Sequence, residues 1–219
     1  MYFYFLIFIS HFSFTNMPYS QFTSIHTVRQ QLGLKVTYRK LFPDIEEMLP
    51  SEFLSQTLAR ATADQMAYFS EKSRSEAIVF PILNELRFVY ENRISLYSGA
   101  TIEGDKNKGL NGECDFVLSQ GEQGMEVEKP IFCVVEAKDN DLSLGMPQCI
   151  AQLVGARLFN EKDGFEQVVL YGCVTTGTNW LFLKIENELV TIDKQGYSLA
   201  KLPELLGALQ CVITTFIDK

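Results

Sequence analysis

A chain of 219 residues with 47% hydrophobic and 21% charged side chains is long enough to bury a substantial core and falls in the range of one soluble globular domain. Its formal net charge of −8 excludes a protein that coats nucleic acid through bulk charge, because such binding needs many Lys and Arg side chains against phosphates. An enzyme that contacts phosphate at one acidic, metal-neutralised site is not excluded.

The first 14 residues are aromatic and aliphatic, with no Lys or Arg before them. They are too short for a membrane span and lack the cationic start and cleavage site of a signal peptide. The expectation is that translation starts at Met17, leaving residues 1–16 an apolar leader from over-translation; a membrane-associating tail is the alternative. Residues 17–219 are then one domain. From 17 to 39 the sequence is polar without a firm period, although residues 23–32 suit a short helix stopped by Gly33. Residues 43–48 suggest a helical turn. Ser51 suits an N-cap for a helix through Tyr68, with Glu52 in its first turn.

A stronger helix is predicted over residues 73–92. Ile78, Val79, Ile82, Leu83, Leu86, Val89 and Tyr90 share one face at about 100° per residue, and Glu76 and Glu85 flank it. Pro81 predicts a kink or a late start. Ser73 and Glu76 also fit a capping box, which gives Glu76 a structural explanation beside any role in a site. A strand over residues 93–102 and a turn cluster over 104–109 follow.

Residues 112–118 read as a strand carrying Asp115, and the apolar run Ile131 to Val135 as a buried strand. A loop over 120–129, rich in Gly, Gln and Glu, joins them as in a hairpin. The second strand delivers Glu136 and Lys138 to one side and Ala137 to the other, because side chains alternate along a strand. Antiparallel pairing brings Asp115 beside Glu136. Residues 112–141 hold eight acids and two bases, so most of the negative charge is concentrated there. Two carboxylates and a lysine at a strand end suit Mg²⁺ or Mn²⁺.

After a polar loop at Asp139-Asn140-Asp141, Gly145 and Pro147 open a helix to about Asn160, with Pro147 in its first turn. Gln148 and Gln152 share a face of it. Residues 167–176 and 180–185 form a hairpin, residues 188–192 a short edge strand, and Lys201 or Pro203 starts a closing helix to Phe216. The five cysteines, Cys114, Cys133, Cys149, Cys173 and Cys211, adjoin apolar residues without zinc-ligand spacing, and His11 and His26 lie far away. They read as buried reduced thiols, which points to the cytoplasm. The element order predicts an α/β fold, a mixed central sheet with helices on both faces.

Asp115, then Glu136-Ala137-Lys138 at the end of an apolar strand, then a helix bearing Gln148, resembles the PD-(D/E)XK nuclease superfamily, the restriction-endonuclease-like fold. The resemblance covers residues 73–176, and its strength is the ordered set of elements, since a Glu-x-Lys triplet alone is common. Cys114 stands where the motif's name has proline. Residues 109–112 and 145–149 are also similar to bacterial members of the group. The resemblance implies that Asp115, Glu136 and the backbone carbonyl of Ala137 ligate Mg²⁺ or Mn²⁺, and that Lys138 orients or deprotonates the attacking water and stabilises phosphate charge. It places Glu76 on the first helix, where it helps hold metal or water. Gln148 takes the second-helix position, with Gln152 as the other choice. The implied activity is metal-dependent phosphodiester hydrolysis of DNA, ahead of RNA.

Arg74, Arg87, Lys106, Lys108, Arg157 and Lys162 are candidate phosphate contacts, but no basic stripe or DNA-reading domain is visible. A homodimer or a partner subunit is expected, because cutting a duplex needs two sites. The alternatives are a catalytically silent domain of the same fold acting as an interaction or regulatory module, and a solvated Glu–Lys pair beside a turn aspartate. No serine or cysteine triad supports another hydrolase.

Overall fold

The computed structural model describes residues 19–63, 65–91, 93–166 and 169–217. The leader at 1–16 and the expected start at Met17 lie outside them. Seven strands are present among these residues: β1 (Lys35–Arg39), β2 (Ile94–Asp105), β3 (Leu110–Gln120), β4 (Ile131–Ala137), β5 (Val169–Thr175), β6 (Asn179–Glu186) and β7 (Leu189–Ser198). The α-helices are α1 (Ile25–Leu32), α2 (Glu52–Ala63), α3 (Glu71–Arg74), α4 (Phe80–Val89), α5 (Leu142–Glu161) and α6 (Leu202–Ile217). The strands form one mixed sheet in the order β1-β7-β6-β5-β4-β3-β2.

The sheet is buried on both faces. Side chains of α2, α4 and α6 join Phe116, Val135, Cys173 and Phe182 in one hydrophobic layer. On the other face α1 and α5 pack with Val117, Val134, Val174 and Leu183. The predicted α/β architecture with helices on both faces is therefore what the chain forms. β4 and β5 are parallel neighbours, which obliges a long crossover, and α5 supplies it. This helix is buried nearly all round and approaches β2 closely enough that a Cβ on Gly104 would lie 2.7 Å from Gly155 Cα. Asn160 of α5 clamps the start of β4, its Oδ1 accepting from Ile131 N at 2.9 Å and its Nδ2 donating to Ile131 O at 2.7 Å.

Several boundaries differ from expectation for identifiable reasons. β1 lies in the segment that showed no period; its register on β7 is parallel, and one edge partner suffices to hold five residues extended. For the same reason β7 is longer than the predicted edge strand and is interior, between β6 and β1. Residues 43–48 are not helical; Met48 N donates instead to Pro203 O at 3.1 Å, which ties this extended segment to α6. Ser51 does cap α2, accepting from Leu54 N, and is held by Glu85, which accepts from Ser51 N at 2.7 Å and Ser51 Oγ at 2.9 Å. α2 ends at Ala63, and a separate 3₁₀ turn spans Met66–Tyr68 after Gln65 at φ 63°.

The helix expected at Ser73 begins earlier, because Ser70 is its N-cap and accepts from Ser73 N at 3.1 Å. Ser73 and Glu76 therefore form no capping box. Pro81 has the predicted effect: residues Ser75–Val79 make a π turn, and α4 restarts with Pro81 in its first turn. In α5, Asp141 is the N-cap and accepts from Ser143 N at 2.8 Å. The helix thus opens at Leu142, a turn sooner than expected, and Pro147 lies inside it.

α6 lies in the segment Leu199–Ile217, which is long and apolar enough to span a membrane by length and composition. Here Leu205, Leu206, Leu209, Val212, Ile213 and Phe216 pack into the core, with Phe216 stacked on Phe132 at 4.9 Å between ring centroids.

Candidate active site

β3 and β4 pair antiparallel with Phe116 opposite Val135 and Val117 opposite Val134. One further step of that register puts Asp115 opposite Glu136; Glu136 meets Gln152 of α5, while Asp115 lines the cleft beside Phe80 and Ala137. The chain thus brings both predicted carboxylates together where β4 ends, with Asp115 midway along β3. Asp115 Oδ2 accepts from Ala137 N at 2.7 Å, so this carboxylate holds the last amide of β4. Lys138 N donates to Thr175 O at 2.8 Å, which keeps the exit of β4 against β5.

Glu136 is 2% exposed. Its Oε1 accepts from Lys138 Nζ at 2.6 Å and its Oε2 from Gln152 Nε2 at 2.6 Å. Burial, then the nearby Asp115 carboxylate, push its pKa up to about 7, against the opposing pull of Lys138 and Gln152. Asp115 is also raised, mainly by burial, although the Ala137 amide and Lys138 favour its charged form. Burial draws the Lys138 ammonium down, but Glu136, Glu71 and Asp115 outweigh it and hold the group above its ordinary value. Lys138 is therefore a cation at neutral pH.

The glutamine that reaches the carboxylates is Gln152, buried on α5; Gln148, one turn earlier, is half-buried. The resemblance put Gln148 first and Gln152 second; one turn further along the same helix face, Gln152 is the one that meets Glu136. Gln152 Oε1 is buried and has no hydrogen-bond partner. Gly145 packs under Lys138: a Cβ there would lie 2.5 Å from Val174 Cγ1 and 3.0 Å from Lys138 Cγ. No local pattern marks this contact, because the two residues are seven apart and meet only when α5 folds back on β4.

A cleft of about 510 Å³ opens beside Asp115 and Ala137, lined also by Glu71, Lys72, Glu76, Glu113 and Phe80. Glu76 does line it, but its side chain is 69% exposed and lies 3.8 Å from Lys72 Nζ. The first-helix acid with the stronger electrostatic tie to the centre is Glu71. Its pKa is raised by burial first, and its charge interacts with Lys138, Asp115, Asp139 and Arg74. The π turn explains the miss, since one extra residue rotates everything upstream by about 100° relative to a regular helix. Arg74 Nη2 pairs with Asp139 Oδ1, and Arg74 Nη1 donates to Tyr68 O at 3.2 Å. Of the predicted phosphate contacts, Arg74 is the one brought to the centre. Lys106 and Lys162 line a separate groove with Asp105 and Glu161.

All five cysteines are free, four of them buried. Burial raises the Cys114, Cys133, Cys149 and Cys173 thiols, so they are packing groups rather than nucleophiles. Among the described residues, no group of three or more His, Cys, Asp and Glu side chains is arranged to hold a metal ion. The acidic set around the end of β4 is Asp115 and Glu136, with Glu71 on the cleft wall. Comparison with protein-family models and with curated proteins returns no match.

Proposed function

We propose that this centre hydrolyses phosphodiester bonds in nucleic acid, DNA ahead of RNA, as a Mg²⁺- or Mn²⁺-dependent nuclease with a restriction-endonuclease-like fold. The observation that carries the reading is the buried Glu136 carboxylate, bonded to Lys138 and one register step beyond the last β3–β4 pair from Asp115, which itself lines an acidic cleft. Burying two carboxylates side by side is costly unless a cation offsets them. Their oxygens, with the Ala137 carbonyl, are hard donors of the kind Mg²⁺ and Mn²⁺ take. Mg²⁺ binds through one or two carboxylates and completes its shell with water and substrate phosphate. Bound there, the metal would neutralise phosphate oxygens and lower the pKa of water.

The protein's own groups have separable tasks. Asp115 and Glu136 hold the cation, and Gln152 fixes the Glu136 carboxylate plane. Lys138, being charged, positions the attacking water and stabilises the phosphate's developing charge. Glu71 keeps the ammonium protonated from the far side of the cleft. The cytoplasm, with its reduced thiols, is the proposed location, and a homodimer or partner subunit would supply a second cut on duplex DNA.

One observation favours a second reading, a silent interaction module. Asp115 and Glu136 are each hydrogen-bonded to the protein's own donors. The test is the full chain beside its Lys138→Ala variant, each incubated with Mg²⁺ or Mn²⁺ and duplex, single-stranded and branched DNA and RNA. Cleavage by the parent alone is the expected result. No cleavage together with no Mn²⁺ binding would transfer the proposal to the silent module.

A further inference from the structure

The cleft has an aromatic wall and rim that the hydrolytic chemistry does not use. Phe80, 40% exposed, lines it in contact with Phe116, with ring centroids 6.5 Å apart. Immediately before α3, Met66, Tyr68 and Phe69 are exposed, Phe69 at 88%, around a shallow hollow of about 390 Å³. Phe69 is two residues from Glu71, which lines the cleft, so its backbone lies within about 7 Å of the cleft wall. The rim is anchored to the catalytic strand. Arg74 donates to Tyr68 O with one nitrogen and pairs with Asp139, just after Lys138, through another. Gln65, at φ 63°, sets the turn that presents these side chains.

The charge around the rings argues for one kind of occupant. Glu71, Glu76, Glu113 and Asp115 line the cleft, with Lys72 as the cation among its lining residues. A continuous duplex laid along it would bring two phosphate backbones against four carboxylates, and no basic track would compensate. An unpaired strand needs to present only one phosphate to the centre and can turn its bases toward the rings. Stacking of bases on exposed aromatic side chains holds single strands without sequence preference.

We propose that Phe80 and Phe69 are a base-stacking platform and that the substrate class of this site is single-stranded DNA: an overhang, flap or loop. The proposal rests on the phosphodiesterase reading, and its test separates the two. Binding of a fluorescein-labelled 20-nucleotide oligothymidylate and of a blunt duplex of equal length is measured by anisotropy with the full chain in chelator. Mg²⁺-dependent cleavage of both is measured separately. The single strand is expected to bind at least about tenfold tighter. Phe69→Ala and Phe80→Ala should each weaken it about five- to hundredfold, and Phe80→Tyr should retain parent affinity. Phe69 is solvent-exposed, so its substitution tests the platform without disturbing the core. Equal or tighter duplex binding, no binding to either form, or parent affinity in both alanine variants overturns the platform. Single-strand binding that depends on Phe69 and Phe80, with no cleavage of any DNA, supports the platform while overturning the nuclease reading.

Discussion

Replacing Glu136 by Gln gives the sharpest physical test of the site, because it removes a buried charge and keeps the side-chain shape. In the folded protein the carboxyl is pushed from an ordinary 4.5 up to about 7. Below pH 4.5 both folded and unfolded chains hold the proton. Between 4.5 and about 7 the unfolded chain releases it while the fold retains it, so stability falls as pH rises and levels off above about 7. At 1.36 kcal/mol per pH unit, the interval corresponds to about 3 kcal/mol lost by the parent and not by the variant. Urea unfolding in chelator at pH 5, 6, 7 and 8 reads this directly. With m of about 2–3 kcal/mol/M, the midpoint of Glu136→Gln minus that of the parent should grow by about 1 M from pH 5 to pH 8. Adding Mn²⁺ at pH 8 should then raise the parent's midpoint and leave that of Glu136→Gln nearly unchanged, because bound cation offsets the charge. Parallel pH profiles for the two proteins would refute the claim that Glu136 is held as a strained carboxylate at the centre.

Three other outcomes follow from particular contacts. Gln152→Leu should cost about 1–2 kcal/mol in thermal or urea unfolding, because it strips a donor from buried Glu136 while also removing the unpartnered Gln152 Oε1; Gln148→Ala should change stability by less than about 0.5 kcal/mol, and reversed magnitudes would restore Gln148 as the facing residue. Glu71→Gln should lower kcat for DNA cleavage about tenfold or more, a loss on the scale of one positioned charge, while Glu76→Gln stays within about twofold; steady-state rates on one labelled oligonucleotide decide it. Gly145→Ala should lower stability by about 1–3 kcal/mol despite alanine's better helix propensity, since its Cβ meets Val174 and the Lys138 stem; an unchanged melting temperature together with unchanged cleavage would show that α5 can move away from β4.

Much of the candidate site is legible in sequence because strands carry their information locally. The apolar run from Ile131 to Val135 marks β4, and alternation alone sends Glu136 and Lys138 the same way, to a 2.6 Å contact. Asp115 was placed opposite Glu136 by a hairpin argument, and the register agrees. The helices were less readable, because a phase error accumulates from their start. Ser70 and Asp141, each a cap outside the expected boundary, shift where α3 and α5 begin, and the π turn at Ser75–Val79 adds a further rotation. The earlier start of α3 brought Glu71 to prominence beside Glu76, and which of Gln148 and Gln152 meets Glu136 depended on how α5 lies on β4.

The sequence by itself determined that β4 is buried, that Glu136 and Lys138 meet with Asp115 nearby, that Gly33 stops α1 and that Pro81 disturbs a regular helix. Each depends on residues close in the chain and on a period or a backbone restriction intrinsic to the residue type. The tertiary structure alone decided that residues 35–39 form a strand, since only parallel pairing with β7 holds them extended. It also decided that β7 is interior, that Glu136 titrates near neutrality and that Gly145 lies under Lys138. Those outcomes depend on desolvation and on contacts between segments distant in sequence, and both exist only once the crossover helix α5 has closed onto the sheet.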